Sequence, residues 1–283
     1  DNLGAGPFSD VQGGQIASKM RRADTPLREE YDPATADLFE QRNTPSLFGL
    51  GLVDAIPDSV IIANEDPTDI NGDGIRGVAH RITTADLALN IGRFGWKAQI
   101  PRLADFVRDG MLNELGVTTI ADGRGFGSAT DSDAVTDPEL AQTDFDDILF
   151  FMSNLAAPPR AGNSDPGVVV GETLFTTIGC ALCHIPSLQS SFGPVPLFSD
   201  LLLHNVHVGS FRGMVDGQAA VGMYRTAPLW GLRRTAPYMH DGRAETITAA
   251  ILAHDNEALA ARNAFNALNT GQKNALLLFL QDL

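Results

Sequence analysis

The two cysteines of the 283-residue chain, Cys180 and Cys183, lie three positions apart, and His184 follows directly after the second one. Thiolates bind metals and form disulfides or thioethers, and an imidazole binds metals through a ring nitrogen. Three kinds of site use thiols at this spacing: a structural zinc site, a thiol–disulfide redox pair and a covalent attachment point for haem c. The sequence around the motif indicates which of these three kinds of site is present.

The surroundings of the motif favour haem attachment. A structural zinc site takes about four ligands, usually as two pairs, and the other histidines form no pair at matching spacing. A thioredoxin-like pair begins a helix after a strand, whereas a helical pattern precedes Cys180 and no β-α-β order surrounds it. Haem attachment uses every part of the motif, because two thioethers hold the porphyrin and His184 binds the iron. The sequence therefore predicts one haem c.

Two helices are predicted to position this motif. Asp165 followed by Pro166 is typical of a helix start, and apolar residues then recur at three- and four-residue spacings up to the motif. Thr270 is predicted to cap a C-terminal helix that has a broad apolar face. Gly171 would let the two helices approach closely, with Phe175 beside the crossing. This arrangement resembles the first and last helices of a cytochrome c domain.

The segment GMYRTAPLWGLRRTAPYMHDGRAETI, residues 222–247, resembles the region of bacterial di-haem cytochrome c peroxidases that follows their methionine ligand. Further motifs, including RNTPSLFGLGLVDAIPDS, IGRFGWKA and LLLH, extend the resemblance over most of the chain to the di-haem oxidoreductase family, which is related to those enzymes. The resemblance implies a mainly α fold with long loops. It also implies a cytochrome c-like haem domain joined to a related N-terminal domain.

The resemblance further implies an iron ligand and a set of haem contacts. Met223 falls where the methionine ligand of the peroxidases stands, and a thioether ligand favours ferrous iron. Many family members carry an acidic residue near this point, so Met223 is a departure that predicts a closed, six-coordinate haem. His204 is the rival sixth ligand. The remaining predicted cofactor contacts are Arg225, Trp230 and Arg243.

Several of these side chains also have an alternative interpretation as ordinary structural residues. Met223 could fill a gap in the core, and His204 could be a hydrogen-bonded structural histidine. Arg225 and Arg243 are predicted to pair with haem propionates, because a guanidinium matches a carboxylate in a fixed fork, but both are equally compatible with surface positions. His254 has no evident partner in the sequence and is predicted to be structural.

An internal repeat indicates a duplicated architecture. NTPSLFGLGL, residues 43–52, aligns with RTAPLWGLRR, residues 225–234, which pairs Phe48 with Trp230 and Gly49 with Gly231. We predict an N-terminal domain over residues 1–156 and a C-terminal cytochrome c domain with one haem over residues 157–283. The spacing in the second copy places a first haem motif just ahead of Asp1. Either that motif precedes this sequence or the N-terminal domain has lost its haem.

A loop in the predicted N-terminal domain has the spacing of a calcium site. Asp69, Asn71 and Asp73 follow the pattern D-x-N-x-D-G, and Ile75 is placed to offer its carbonyl oxygen. The twelfth loop position, normally acidic, is His80, so a carboxylate would have to come from elsewhere. Plain Asn-Gly and Asp-Gly turns explain the same residues. Bound calcium is therefore one of two interpretations.

Composition and charge limit the partners. The formal net charge is −15, which disfavours nucleic acid and anionic membranes. It favours a redox protein with a basic surface as partner, and a simple contribution to solubility explains the same charge equally well. No apolar run approaches the roughly 20 residues that a membrane span needs. Because haem c is normally attached outside the cytoplasm, we predict a mature periplasmic or extracellular chain.

The predicted function is electron transfer through a haem bound by His184 and Met223. Electron transfer needs a buried, six-coordinate iron, whereas peroxide reduction needs an iron that can open and an acid–base group beside it. The first alternative is a peroxidase whose catalytic second haem lies upstream or on another chain. The second alternative is a cytochrome subunit of a homo-oligomer or a larger electron-transfer assembly.

Overall fold

The computed structural model describes residue 40 and residues 42–131, 133–207 and 214–283. Most of the secondary structure in these ranges consists of short helices joined by long loops. The α-helices are α1 (Leu50–Asp54), α2 (Asp58–Ile62), α3 (Leu103–Gly110), α4 (Gln142–Asn154), α5 (Pro166–Thr177), α6 (Ile247–Ala253), α7 (Leu259–Ala267) and α8 (Thr270–Asp282). Within these described ranges, no helix is long and apolar enough to cross a membrane.

Apart from isolated bridges, the β-structure of the described ranges consists of three antiparallel ladders of two short strands each. The pairs are β1 (Arg81–Thr83) with β2 (Leu89–Ile91), β3 (Leu188–Ser190) with β4 (Gly193–Val195), and β5 (Leu203–Asn205) with β6 (Met223–Arg225). An isolated two-stranded ladder of this size is at best marginally stable in water. The three ladders therefore depend on the surrounding structure and do not form a sheet layer. The predominance of helix over strand agrees with the predicted mainly α class.

α5 and α8 begin with the local interactions that their sequences favour. The Asp165 side chain caps α5 by accepting a 2.7 Å hydrogen bond from the Gly167 backbone N–H, with proline in the first turn. The cap of α8 differs from the prediction by one residue. Asn269, not Thr270, is the cap, because its side chain and that of Gln272 bond reciprocally to each other's backbone N–H groups.

The predicted close crossing of α5 and α8 is confirmed. A Cβ atom built on Gly171 would lie only 2.1 Å from the Ala275 carbonyl oxygen, so the two backbones meet where α5 has no side chain. The rings of Phe175 and Phe279 pack edge to face beside this point, with centroids 5.4 Å apart. The crossing therefore fixes the direction of α5, and with it the position of the Cys180 turn that follows the helix.

The two repeated segments pack against each other with matching contacts. A Cβ atom on Gly49 would lie 2.5 Å from the Trp230 ring, and one on Gly231 would lie 3.0 Å from the Phe48 ring. Both glycines adopt the left-handed backbone conformation, with φ angles of 75° and 68°. Each glycine N–H donates a 2.8 Å hydrogen bond to the carbonyl directly after a long helix, α4 or α8. The aligned positions are therefore equivalent in the fold as well as in the sequence.

The largest hydrophobic cluster combines side chains from both sides of the predicted boundary at residue 157. It includes Phe94 and Phe145 from the first half and Leu197, Leu202 and Trp230 from the second. Because the halves share this cluster, the boundary does not separate two independent cores. The division into domains stays a prediction, and residues 1–39 of the predicted N-terminal domain lie outside the described residues.

Candidate functional site

Cys180, Cys183 and His184 lie on one turn directly after α5. Gly179, with a φ of 93°, ends the helix, and the His184 N–H donates a 3.0 Å hydrogen bond to the Cys180 carbonyl. Both cysteines are free thiols, and burial raises their pKa values, that of Cys180 to about 12. A redox-active pair needs a lowered thiol pKa, so these thiols do not have the electrostatics of a thioredoxin-like site.

The His184 ring is held by its Nδ1 atom, which donates a 2.9 Å hydrogen bond to the Phe198 carbonyl oxygen. Burial lowers the pKa of His184 to about 4, so the ring is neutral at physiological pH. A neutral imidazole with its proton on Nδ1 presents the lone pair of Nε2, which is the form that binds a metal. This orientation, next to two thiols on the same turn, fits a proximal haem ligand.

An aromatic cluster encloses this histidine. The Phe175 ring centroid lies 6.4 Å from that of His184, and Phe198 and Phe279 pack edge to face against Phe175. These phenylalanines belong to the second hydrophobic cluster, which α5 and α8 build together. An apolar wall of this kind excludes water and lowers the local dielectric, and both effects stabilise a bound porphyrin.

His204, the predicted rival ligand, is held between two carboxylates. Its Nε2 lies 2.8 Å from Asp200 Oδ2 and its Nδ1 lies 3.0 Å from Glu257 Oε2. Burial alone would lower the His204 pKa, but the hydrogen bonds to Asp200, Cys183 and Glu257 outweigh it and raise the pKa well above the usual value. Both ring nitrogens are therefore engaged in a charged triad. An iron bond through either nitrogen would have to break a buried ion pair.

Donor atoms of Cys183, Asp200 and His204 also lie within 4.8 Å of one another, a set that could in principle hold a metal ion. In the described geometry, however, the Cys183 thiol is protonated and 3.8 Å from a histidine whose nitrogens are already engaged. A metal would have to displace both protons. Thioether formation at Cys183 would also remove its thiolate from this set.

The Asp200→Asn variant is expected to lose roughly 3 kcal/mol of unfolding free energy at pH 6, because removing one partner leaves buried charge uncompensated. The folded-state pKa of His204 lies above its unfolded value, so the triad's contribution is complete below the unfolded pKa. It is lost as pH rises through the folded pKa. Denaturant unfolding of both proteins between pH 6 and high pH should therefore show a difference that shrinks with pH.

Glu172→Gln is the control for that measurement, because it removes an exposed ion pair with Arg160. Its effect should stay within about 1 kcal/mol at every pH. A stability difference for Asp200→Asn that does not change with pH would contradict the assignment of a protonated His204.

Met223 does not join the aromatic cluster around His184. It stands opposite Asn205 in the β5–β6 ladder, and its carbonyl oxygen accepts a 3.0 Å hydrogen bond from Lys97 Nζ. Its side chain belongs to the third hydrophobic cluster, formed with Ala98, Leu203 and Ala219. The Met223 side chain therefore packs in a different part of the core from the aromatic cluster, and its ligation of the iron stays a prediction.

The structure instead places the ring of His254 beside His184, with ring centroids 6.5 Å apart. The sequence suggested no partner for His254, and no local spacing relates it to the haem motif. Only the packing of the segment after α6 against the turn after α5 brings the two rings together. A lone histidine where a helix ends, before an Asp-Asn turn, is the one feature that marks it in the sequence.

The predicted haem contacts have different surroundings. Arg225 is half-buried, and desolvation of its guanidinium lowers its pKa to about 10. It donates to the carbonyl oxygens of Gly95 and Thr226 at 3.0 and 3.1 Å. Arg243 is partly exposed and paired with Asp241, so its charge is already compensated. Trp230 packs in the largest cluster, outside the aromatic cluster around His184. Of the three, half-buried Arg225 has the positive charge that a propionate would match.

The predicted calcium loop is held by its own hydrogen bonds. Asp69 accepts from the Gly74 N–H, Asn71 from the Asp73 N–H and Asp73 from the Ile75 N–H, at 2.9 to 3.1 Å. Asp66 accepts two more, from the N–H groups of residues 70 and 71. These contacts are those of turns stabilised by Asx side chains, which agrees with the second interpretation of the motif. Calcium binding stays an untested prediction.

Comparison with known proteins identifies relatives at the level of the family. The family model described as "Di-haem oxidoreductase, putative peroxidase" matches residues 34–283. The search of curated proteins found no match. Two similar solved structures are hydrazine synthase from Kuenenia stuttgartiensis and a MauG-like protein associated with microbial copper homeostasis.

Both structural matches are distant. The hydrazine synthase chain is 14% identical with a TM-score of 0.41, and the match covers 92% of this chain and 100% of that one. The MauG-like protein is 14% identical with a TM-score of 0.43, with 90% of this chain and 95% of that one covered.

Proposed function

Because this chain belongs to the di-haem oxidoreductase family, we propose that it is a c-type cytochrome that transfers electrons through one haem in residues 157–283. Cys180 and Cys183 would form the thioether bonds and His184 would bind the iron. An iron that changes between the ferric and ferrous states is the chemistry that haem supplies when bound. The oxidoreductase class follows from the family, and the division between electron transfer and peroxide reduction is our proposal.

The observation that carries the proposal is the state of His184. Its Nδ1–H is anchored to the Phe198 carbonyl, its ring is neutral, and both thiols lie on the same turn. A hydrogen bond from Nδ1 fixes the plane of the ring and increases the basicity of Nε2. The fold therefore orients Nε2 of His184 for the iron before haem is attached.

The chain's other residues would exclude water and balance charge. The phenylalanines of the aromatic cluster shield one side of the site, which limits the reorganisation of water when the charge on the iron changes. Arg225 has no carboxylate partner among its described hydrogen bonds, so its half-buried guanidinium would pair with a propionate. Arg243 has Asp241 and is not needed for this role.

The net charge of −15 supports a partner with a basic surface, since opposite fields accelerate encounter and this acceleration falls with salt. We place the chain in the periplasm or outside the cell, because haem c is attached there. Assembly into oligomers or a larger complex would let electrons pass between subunits. Sizing at native concentration distinguishes this from a monomer.

The test is to express the chain with the machinery for haem c attachment and measure its intact mass under denaturing conditions. We expect one covalent haem, rapid oxidation of the reduced protein by a basic redox protein, and a rate that falls as salt is added. Sustained hydrogen peroxide turnover by the as-isolated or half-reduced protein would favour the peroxidase alternative. A protein that carries no covalent haem would refute the proposal.

A further inference from the structure

We propose that His254 is the second axial ligand of the haem iron, opposite His184, so that the haem is coordinated by two histidines. This assignment rests on the proposed function, because it presupposes a haem on the Cys180–Cys183 turn. It replaces the methionine expected from the family resemblance with a side chain that the sequence marked only as structural.

The distance between the two rings carries the assignment. A bond from a metal to an imidazole nitrogen is about 2.0 Å, and the ring centre lies about 1.1 Å further out, so two opposed imidazoles on one metal have centroids about 6 Å apart. The centroids of His184 and His254 are 6.5 Å apart. Rotation about each metal–nitrogen bond is free, so the observed 60° between the ring planes is compatible with shared ligation.

Both rings are anchored in the same way. His184 Nδ1 donates to the Phe198 carbonyl at 2.9 Å, and His254 Nδ1 donates to the Ala250 carbonyl at 2.7 Å. Within the described residues, each ring makes its hydrogen bond through Nδ1, which leaves Nε2 for the metal. His204 lacks this property, because carboxylates occupy both of its nitrogens.

The segment that holds His254 is fixed at both ends. Thr246 caps the start of α6 through the Ala249 N–H, and His254 follows the last residue of that helix. After it, Asp255 pairs with Arg262 at 2.8 Å, and Glu257 joins the triad with His204. These contacts hold the backbone on either side of His254 against neighbouring elements. A ligand placed in this way would change little between redox states, which suits electron transfer.

Coordination by two histidines has a functional consequence that differs from the methionine prediction. A thioether ligand raises the reduction potential of the haem, so a second imidazole in its place gives a lower potential. The electron donor and acceptor must then match this lower potential. Two strong nitrogen ligands also close the iron to peroxide. The assignment therefore favours electron transfer over peroxide reduction at this haem.

The experiment compares the haem-loaded wild type with His254→Gly and Met223→Leu, using absorption and electron paramagnetic resonance spectra of the ferric protein. We expect a low-spin wild type without the weak red absorption band of an iron–thioether bond. His254→Gly should become high-spin and return to low-spin when imidazole is added. Met223→Leu, the matched control, should keep the wild-type spectrum.

A red thioether band in the wild type that disappears in Met223→Leu would overturn the assignment, and so would a His254→Gly variant with an unchanged low-spin spectrum. If His254→Gly fails to fold, the wild-type spectrum still decides between a thioether and two imidazoles. His254→Met provides a further check, because it should introduce the red band and raise the potential. A wild type without covalent haem would refute the proposed function itself, whereas a haem-loaded wild type with methionine ligation would refute only this inference.

Discussion

The double variant Cys180→Ala, Cys183→Ala is expected to carry no covalently bound haem. These are the only two thiols in the chain, so no other side chain can form a thioether bond. His184 is still held by the Phe198 carbonyl and can still bind iron, but haem held only by coordination is released when the protein unfolds. Intact mass under denaturing conditions, with haem staining of denaturing gels, measures the loss.

The single variants are the matched controls for this measurement. Cys180→Ala and Cys183→Ala each leave one thiol, so each should attach haem through one thioether and keep one free vinyl group. That vinyl group extends the conjugated ring and shifts the absorption of the reduced pyridine complex to longer wavelength. Covalent haem in the double variant would contradict the assigned attachment site.

The Gly171→Ala variant is expected to lose at least about 3 kcal/mol of unfolding free energy, although alanine is the better helix former by about 1 kcal/mol. The new Cβ would meet the Ala275 carbonyl oxygen at 2.1 Å and the Phe279 Cβ at 2.7 Å. Because the first of these is backbone, no side-chain rotation relieves the clash, and α5 and α8 must move apart. Chemical denaturation of both proteins gives the difference in unfolding free energy.

Gly110→Ala is the control for that comparison. Gly110 is the last residue of α3, and a Cβ atom there meets nothing within 4 Å, so this substitution should be neutral or stabilising by up to about 1 kcal/mol. Separation of α5 from α8 should also reduce the yield of covalent haem, because α5 leads directly into the Cys180 turn. A Gly171→Ala variant as stable as wild type would show that the crossing can relax.

The features that the sequence predicted correctly depend on neighbours in the chain. The spacing of Cys180, Cys183 and His184 places them on one turn, and the Asp165 and Pro166 pair starts α5, because both depend on contacts over a few residues. The close approach at Gly171 was also predictable, since a glycine on an apolar helix face has no side chain to keep a second helix away. Even here the cap of α8 moved from Thr270 to Asn269, because two reciprocal bonds are better than one.

What the tertiary structure decided is which distant side chains meet. From the sequence, the family resemblance favoured Met223 as the haem ligand with His204 as its rival, and His254 was predicted to be structural. Packing places Met223 in a separate cluster, encloses His204 between two carboxylates and brings the ring centroid of His254 to 6.5 Å from that of His184. These outcomes depend on contacts between residues far apart in the chain, which local spacing does not encode. The sequence by itself therefore determined that two thiols and an imidazole share one turn, because their spacing is local, and only the fold determined that the ring of His254 lies beside that of His184.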